Sequence, residues 1–186
     1  MSTNSASIPE HHARDRKERK RVSPVLRTLL QEIKQLLAHI ERVRTLVPET
    51  EQRVHSLLNG LRADLAACSH LLQGRMRTIS PRHDLLYTDR TSSGLYLSLC
   101  TGEELNCREL LETLLAGYGR YARNAYDSMC RLENYGDTEG AETVHKVIPA
   151  VEKGLCFIEL YIEGLALHMD VNRLPEWPVS AEDQKE

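Results

Sequence analysis

The sequence has few aromatic residues. They make up 5% of its 186 positions, with a single phenylalanine and a single tryptophan. Runs of β-branched residues are also scarce, whereas leucine is abundant. Because sheets favour β-branched and aromatic residues and helices favour leucine, this balance predicts an all-α protein.

Signals for a membrane or an oxidising compartment are also missing. No apolar run approaches the roughly 20 residues of a membrane-spanning helix, and the polar N-terminus has no signal-peptide core. The five cysteines form no CxxC pair and no zinc-like cluster. We therefore expect a cytoplasmic protein with reduced thiols, most of them in the core. The cysteines are Cys68, Cys100, Cys107, Cys130 and Cys156.

The sequence lacks the motifs of the common enzyme classes. It has no defensible Ser/His/Asp or Cys/His triad spacing, no glycine-rich phosphate loop and no dinucleotide-binding fingerprint. A hydrolase, a kinase or a dehydrogenase therefore has no support in the sequence.

Positive charge is concentrated near the N-terminus. The stretch RDRKERKR, residues 14–21, has six basic and two acidic residues, a local charge of +4. Because residues 1–13 contribute −1 and the whole chain carries −3, residues 22–186 carry −6. Residues 1–23 have no apolar period, so we expect a disordered basic arm before an acidic body.

Four long stretches repeat apolar residues at intervals of three and four, which predicts four amphipathic helices. Gly74 should end the second helix, and a capping box of Thr101 and Glu104 should begin the third. Pro149 should kink the fourth helix or remove one hydrogen bond from it. We expect the helices at about 24–48, 49–73, 101–135 and 136–165.

The connections between these helices predict the fold. Short loops join the first helix to the second and the third to the fourth, whereas residues 74–100 form a long connection with no sustained period. One long crossover between helices 2 and 3 is typical of a ferritin-like four-helix bundle. We therefore expect three parts: a disordered arm (1–23), a four-helix domain (24–170) and an irregular acidic tail (171–186).

The last predicted helix resembles the fourth helix of the Dps family, the DNA-binding ferritin-like proteins of starved cells. Members of that family typically have an acidic turn, then Thr-Ala-Asp, then Asp/Glu-Lys and a Leu-Trp-Phe-Ile/Leu-Glu run. This chain has Gly136-Asp137, Ala141-Glu142, Glu152-Lys153 and Leu155-Cys156-Phe157-Ile158-Glu159. The stretch ELLETLLAGYGRYARNAYDSM is similar to the third helix of the family.

The resemblance implies a hollow homo-oligomeric shell, a dodecamer, with subunit contacts at the apolar end of the fourth helix. Ile158 and Ile162 continue the main apolar stripe, so we assign them to the core of the subunit. Phe157 and Tyr161 lie off this stripe, so we predict that they form the oligomer interface.

The resemblance also implies a ferroxidase site that two subunits share, with histidines and acids from the first two helices. In an alignment without gaps, only His55 has the required residue type. The other family positions fall on Val43, Asn59, His70 and Gly74. Most ligands of the family's ferroxidase site are therefore missing from this sequence. We assign no catalytic residue, and we leave ferroxidase activity open.

A gapped alignment restores a small set of ligand types. It places His39 at the first-helix position and Glu51 one turn before His55, with Asp64 further along the second helix. Carboxylates and imidazoles are ligands that suit iron. Iron bound by His39, Glu51, His55 and Asp64 is therefore the one cofactor that the sequence suggests.

The basic arm suggests a second function. A run of cations can neutralise DNA phosphates without reading base sequence, and many copies on one shell would bind more strongly than one. We therefore predict nonspecific DNA binding through Arg14, Arg16, Lys17, Arg19, Lys20 and Arg21.

The sequence leaves three functions open. The first is a Dps-like, nucleoid-associated stress protein that binds and protects DNA, with a degenerate or relocated ferroxidase site. The second is an active iron-oxidising and iron-storing mini-ferritin. The third is a metal-free helical-bundle interaction protein, for which the arm is only a solubilising tail.

Overall fold

The computed structural model describes the backbone of residues 8–79 and 106–166, together with Trp177. Side chains are described for 21–79, 106–165 and Trp177. This part of the chain forms four helices and no strand, which confirms the all-α prediction and the four-helix composition. They are α1 (Ile8–Leu46), α2 (Gln52–Ile79), α3 (Cys107–Asn134) and α4 (Thr138–Ala166).

Helix α1 is longer than the sequence pattern predicts. It begins at Ile8, so most of the stretch expected to be a disordered arm is helical, and Pro24 lies inside the helix. Arginine, lysine, glutamate and alanine are good helix formers, and acids three or four residues from bases favour a helix. The spacing of apolar residues does not predict a helix made of such charged residues. Pro24 has no amide hydrogen, so α1 loses one backbone hydrogen bond there.

Helix α2 continues past Gly74, the residue at which the sequence pattern predicts its end. Nothing lies within 4 Å of the position that a Cβ would take at Gly74. A glycine inside a helix costs only about 1 kcal/mol relative to alanine. Met76 and Ile79 continue the apolar stripe and are buried, and their packing outweighs this cost.

Helix α3 begins with a capping box at residues that the sequence pattern does not single out. The Asn106 side chain accepts a hydrogen bond from the Glu109 amide, and the Glu109 carboxylate accepts one from the Asn106 amide, both at 2.9 Å. The predicted box of Thr101 and Glu104 lies outside the described residues. So do most of the predicted crossover and the predicted tail apart from Trp177.

A tight turn joins α3 to α4. Gly136 adopts a φ of +79°, a left-handed conformation that glycine takes without strain. Asp137 follows and caps α4, because its carboxylate accepts a hydrogen bond from the Gly140 amide at 3.1 Å.

Contacts between the helices show which of them are antiparallel. α1 is antiparallel to α3, since His39 contacts Thr113 and Glu32 contacts Asn124. α2 is antiparallel to α4, since Asp64 contacts Lys153 near the middle of both helices and Arg75 contacts Asp137 at one end. With two antiparallel hairpins, α1 and α4 point one way while α2 and α3 point the other.

These directions give the bundle two distinct ends. The turn end contains the α3–α4 turn and the last turn of α2. The loop end contains the α1–α2 connection at 47–51 and the start of α3. The interior between them is packed with leucine, isoleucine, valine and three fully buried tyrosines, Tyr118, Tyr121 and Tyr161.

Candidate functional site

The basic stretch predicted to bind DNA is part of helix α1. Its last residue is the only one whose side chain is described: the Arg21 guanidinium lies 5.9 Å from the centre of the Tyr135 ring, at the turn end. Val22 follows and is buried, with 3% of its surface exposed. The stretch is therefore anchored to the bundle immediately after its last cation.

The first predicted metal ligand, His39, lies at the contact between α1 and α3. Its Nε2 is 3.1 Å from the Thr113 hydroxyl, which also donates to the Leu110 carbonyl at 2.8 Å. Burial, together with the nearby Arg42 guanidinium, lowers the pKa of His39 below its usual value. Neutral imidazole is the form that binds metals, but this ring is packed against α3.

The other predicted ligands face different partners. Asp64 accepts an ion-paired hydrogen bond from Lys153 on α4 at 3.0 Å. His55 lies near the loop end, with its Nε2 3.2 Å from the Pro48 carbonyl. Glu51 immediately precedes α2, and its backbone carbonyl accepts a hydrogen bond from the His55 amide at 3.1 Å.

The structure therefore does not bring the four predicted ligands together within one subunit. Across the described residues, no three His, Cys, Asp or Glu side chains are grouped closely enough to hold a metal ion. His55 lines an open depression of about 500 Å³ with Glu49, Gln52, Ser56 and Asn59. One carboxylate and one imidazole in so open a depression make an incomplete ligand set.

The two residues predicted to form the oligomer interface, Phe157 and Tyr161, differ in how deeply they are buried. Tyr161 is 0% exposed and belongs to the core of the subunit, so its assignment to a surface contact is wrong. An apolar residue beside the main stripe of a long helix can still point inward when neighbouring helices surround it. Phe157 is half-buried, and its ring packs on Trp177 with 4.9 Å between the ring centres.

Four of the five cysteines are described, and they are less buried than the sequence predicts; Cys100 lies outside the described residues. Cys68 is buried and Cys107 half-buried, whereas Cys130 and Cys156 are exposed; all four are free thiols. Burial raises the pKa of Cys68 and of Cys107 to about 11, so both stay protonated near neutral pH. Neither is an activated nucleophile.

Two clusters that the sequence-based predictions missed both join α2 to α4. At the turn end, the Arg75 guanidinium forms ion pairs with Asp137 and Glu139. Near mid-bundle, Trp177 packs between Gly60 and Lys153. The signal for the second cluster is a lone tryptophan in a polar stretch, which is too large and apolar to be left in water.

Within the described residues, no helix has the length and apolar character needed to cross a bilayer. Comparison with known proteins adds no relative: no protein-family model matches the chain, and no curated protein or solved structure matches it significantly.

Proposed function

We propose that this chain is a Dps-like protein of the ferritin superfamily. Its copies form a closed homo-oligomeric shell, a dodecamer, and bind DNA nonspecifically in the cytoplasm through residues 14–21. The observation that carries this proposal is the continuity of α1, which joins the basic stretch to the bundle core in one helix.

The order of the helices supports the ferritin-like part of the proposal. α2 ends at the turn end, whereas α3 begins at the loop end, where the Glu51 carboxylate helps to raise the pKa of Cys107. A chain that leaves one end of the bundle and re-enters at the other needs a long connection. We propose that residues 80–105 are this crossover, as in ferritin-like bundles.

The charge distribution supports DNA as the partner. Six cations within eight residues occupy about 12 Å of helix, at 1.5 Å per residue. Each neutralised phosphate releases counterions, which favours binding without sequence readout. The remaining −6 on residues 22–186 repels DNA, so the basic stretch is the part of the chain suited to contact it.

We include iron in the proposal only as a metal ion bound between two copies of the chain. His39 and Asp64 contact different helices, so the described part of one subunit does not bring the predicted ligands into one site. Glu51 and His55 lie near the loop end, and a second copy packed there would have to contribute the remaining ligands. Iron oxidation by the assembled protein, and its loss in His55→Ala, would support this part.

The DNA proposal is tested by removing cations from the stretch while keeping its anchor. We compare Arg16→Gln/Lys17→Gln/Arg19→Gln with a control that loses three exposed cations of the bundle, Lys34→Gln/Arg123→Gln/Lys146→Gln. The slope of log Kd against log salt concentration falls by about 0.9 for each lost phosphate contact. This slope should therefore be smaller in the first variant than in the wild type by up to about 2.7. Fluorescence anisotropy with a labelled duplex at several salt concentrations measures this slope.

Deletion of residues 1–20 provides the stronger form of the same test, because it spares Arg21 and the buried Val22. DNA binding should disappear while the number of subunits in the assembly stays unchanged. Equal loss of binding in the control triple variant would show that overall charge, rather than the basic stretch, attracts DNA. A truncated protein that binds as tightly as the full chain would refute the proposal.

A further inference from the structure

Helix α1 continues beyond the end of α3. The Arg21 guanidinium lies over the ring of Tyr135, the residue that caps the C-terminus of α3. Because α1 and α3 are antiparallel, the residues of α1 that precede Arg21 lie past this cap. Helix α1 begins at Ile8, so its residues 8–20 all lie there.

The contacts between α1 and α2 place the end of α2 at the same level. Glu41 pairs with Arg62 at 3.1 Å, and the two helices are antiparallel. Ile79, the last residue of α2, is 17 residues after Arg62, so it lies opposite the residue 17 positions before Glu41, which is Pro24. Helix α4 begins at Thr138, immediately after the α3–α4 turn. Of the helices that the structure describes, only α1 therefore extends beyond the turn end.

We call residues 8–20 the projecting helix. At 1.5 Å per residue it is about 20 Å long, and a helix with its side chains is roughly 10–12 Å wide. The backbone joins it to the bundle without a break, since α1 runs from Ile8 to Leu46 and Val22 is buried at the base of the projection. The projecting helix is therefore a direct extension of a packed helix.

Charge is distributed unevenly around this helix. At about 100° per residue, the six basic positions of residues 14–21 span an arc of about 220° around the helix axis. The two acidic positions, Asp15 and Glu18, both fall in the remaining arc of about 140°. Along α1, this acidic arc shares the register of buried Ile33, whereas the basic arc shares the register of exposed Gln31. The basic arc therefore continues the solvent-exposed side of α1.

These dimensions and this charge pattern fit the major groove of duplex DNA. The groove is about 12 Å wide and admits an α-helix. Phosphates line both of its walls, so a helix within it meets negative charge on two sides, over more than half of its circumference. A basic arc of about 220° suits this position, whereas contact with a flat anionic surface would use a single, narrower side.

We propose that the projecting helix binds in the major groove of B-form duplex DNA, with its basic arc against the phosphates of both strands. The inference rests on the proposed DNA binding and adds which nucleic acid and which groove are bound. The major groove of A-form RNA is deep and narrow, so the helix does not enter it, and a single strand has no such groove. Binding is therefore selective for duplex DNA, although phosphate contacts read no base sequence.

The first experiment compares nucleic acids of equal charge. The full chain should bind a labelled DNA duplex about tenfold more tightly than an RNA duplex of the same length and sequence, because only the DNA groove admits the helix. Fluorescence anisotropy at one fixed salt concentration measures both affinities. Equal affinity for the two duplexes would show that charge alone attracts them and would overturn the inference.

The second experiment changes the helix without changing its charge. Asp15→Gly/Glu18→Gly and Asp15→Ala/Glu18→Ala lose the same two acids, but glycine destabilises a helix relative to alanine. The glycine variant should be less helical by circular dichroism and should bind the DNA duplex at least about fivefold more weakly than the alanine variant. Equal binding would show that the stretch acts as a flexible polycation, against the inference. Should the glycines leave helicity unchanged, Asp15→Ala/Glu18→Pro replaces them against the same control, since proline breaks a helix interior.

The third experiment identifies the groove. Dimethyl sulfate methylates guanine N7, which lies in the major groove, and adenine N3, which lies in the minor groove. Saturating protein should lower methylation at guanine N7 and leave methylation at adenine N3 unchanged, whereas the protein without residues 1–20 should protect neither. Protection of adenine N3 instead of guanine N7 would place the helix in the minor groove and refute the inference.

These outcomes separate the inference from the proposed function. If the full chain binds the DNA and RNA duplexes equally, nonspecific DNA binding stands and the groove assignment is wrong. If the full chain binds neither duplex, the proposed function is refuted, and the inference falls with it.

Discussion

The two contacts that join the hairpins of this bundle use opposite chemistry. Between α2 and α4, charged groups meet charged partners: Lys153 pairs with Asp64, and Arg75 pairs with Asp137 and Glu139. Between α1 and α3, two ionisable side chains have neutral hydrogen-bond partners. Glu32 accepts from Asn124 at 2.8 Å, and His39 contacts Thr113 at 3.1 Å.

This difference decides which contact responds to pH. Burial raises the pKa of Glu32, although the bond from Asn124 opposes it, and burial lowers the pKa of His39. Both groups are therefore driven towards their neutral forms, because at Glu32 the effect of burial exceeds those of Asn124 and the Arg120 charge, and at His39 the Arg42 charge adds to the effect of burial. The α2–α4 contact instead keeps its charges paired. We infer that the α1–α3 contact sets the pH dependence of stability and the α2–α4 contact sets its response to removal of a charge.

The largest expected effect breaks the α2–α4 contact. Arg75→Ala should lower the free energy of unfolding by about 3 kcal/mol, because it leaves the Asp137 carboxylate buried without a cation. The side chain of Asp137 is 8% exposed and also caps α4, so it cannot turn away to water without losing that cap. Urea denaturation followed by circular dichroism measures the change.

Glu139→Ala is the matched control for this prediction. It removes the other acid that pairs with Arg75, but this side chain is 74% exposed. Exposed pairs contribute roughly 1 kcal/mol or less, so the loss should be small. Equal losses in the two variants would show that the burial of Asp137 has no role.

The packed part of this fold is readable from the sequence, because buried positions follow a three–four spacing. This spacing predicts apolar contacts at Leu26, Leu29 and Ile33 in α1, and all three are buried. Where charge or glycine replaces that spacing, the predicted bounds are wrong. The charged start of α1 and the passage of α2 through Gly74 depend on helix propensity and tertiary packing, which periodicity does not measure.

The candidate site is harder to predict because it depends on distances across helices. Residue type alone suggests Asp64 as a metal ligand, but the position of Lys153, 89 residues away, makes it an ion-pair partner. Likewise, nothing in the local sequence of Gly60 shows that an indole from the C-terminal region lies on it. Such pairings follow from how the hairpins pack, and that arrangement is not encoded in either segment alone.

A smaller effect is expected at His39, where a change of pH would sharpen the comparison. Its folded pKa is lower than its unfolded value, so the unfolded chain binds the proton more readily. Stability should therefore fall as the pH is lowered from about 6.5 through the folded pKa. His39→Gln should reduce this loss between pH 7.5 and 5.5, measured by thermal melts at each pH. The same substitution at exposed His70 controls for removal of a surface imidazole, and an identical pH profile in His39→Gln and the wild type would contradict the prediction.

The smallest expected effect has the opposite sign and comes from the carboxylate of the same contact. The folded pKa of Glu32 is raised, so the native chain binds its proton more readily than the unfolded chain does. The stabilisation from this proton is complete below the unfolded pKa and is lost as the pH rises through the folded pKa. Near neutral pH the ionised carboxylate is therefore a cost, made larger because Glu32 Oε2 is buried without a hydrogen-bond partner.

Glu32→Gln removes this charge and keeps an oxygen that accepts the bond from Asn124. The variant should be more stable than the wild type at pH 7, and its advantage should shrink as the pH falls towards 4.5. Urea midpoints at both pH values measure the trend. Glu41→Gln, at an exposed acid paired with Arg44 and Arg62, is the control and should give no gain. If Glu32→Gln instead destabilised the chain at pH 7, the ionised carboxylate would be a stabilising partner, and the contrast between the α1–α3 and α2–α4 contacts would fail at this residue.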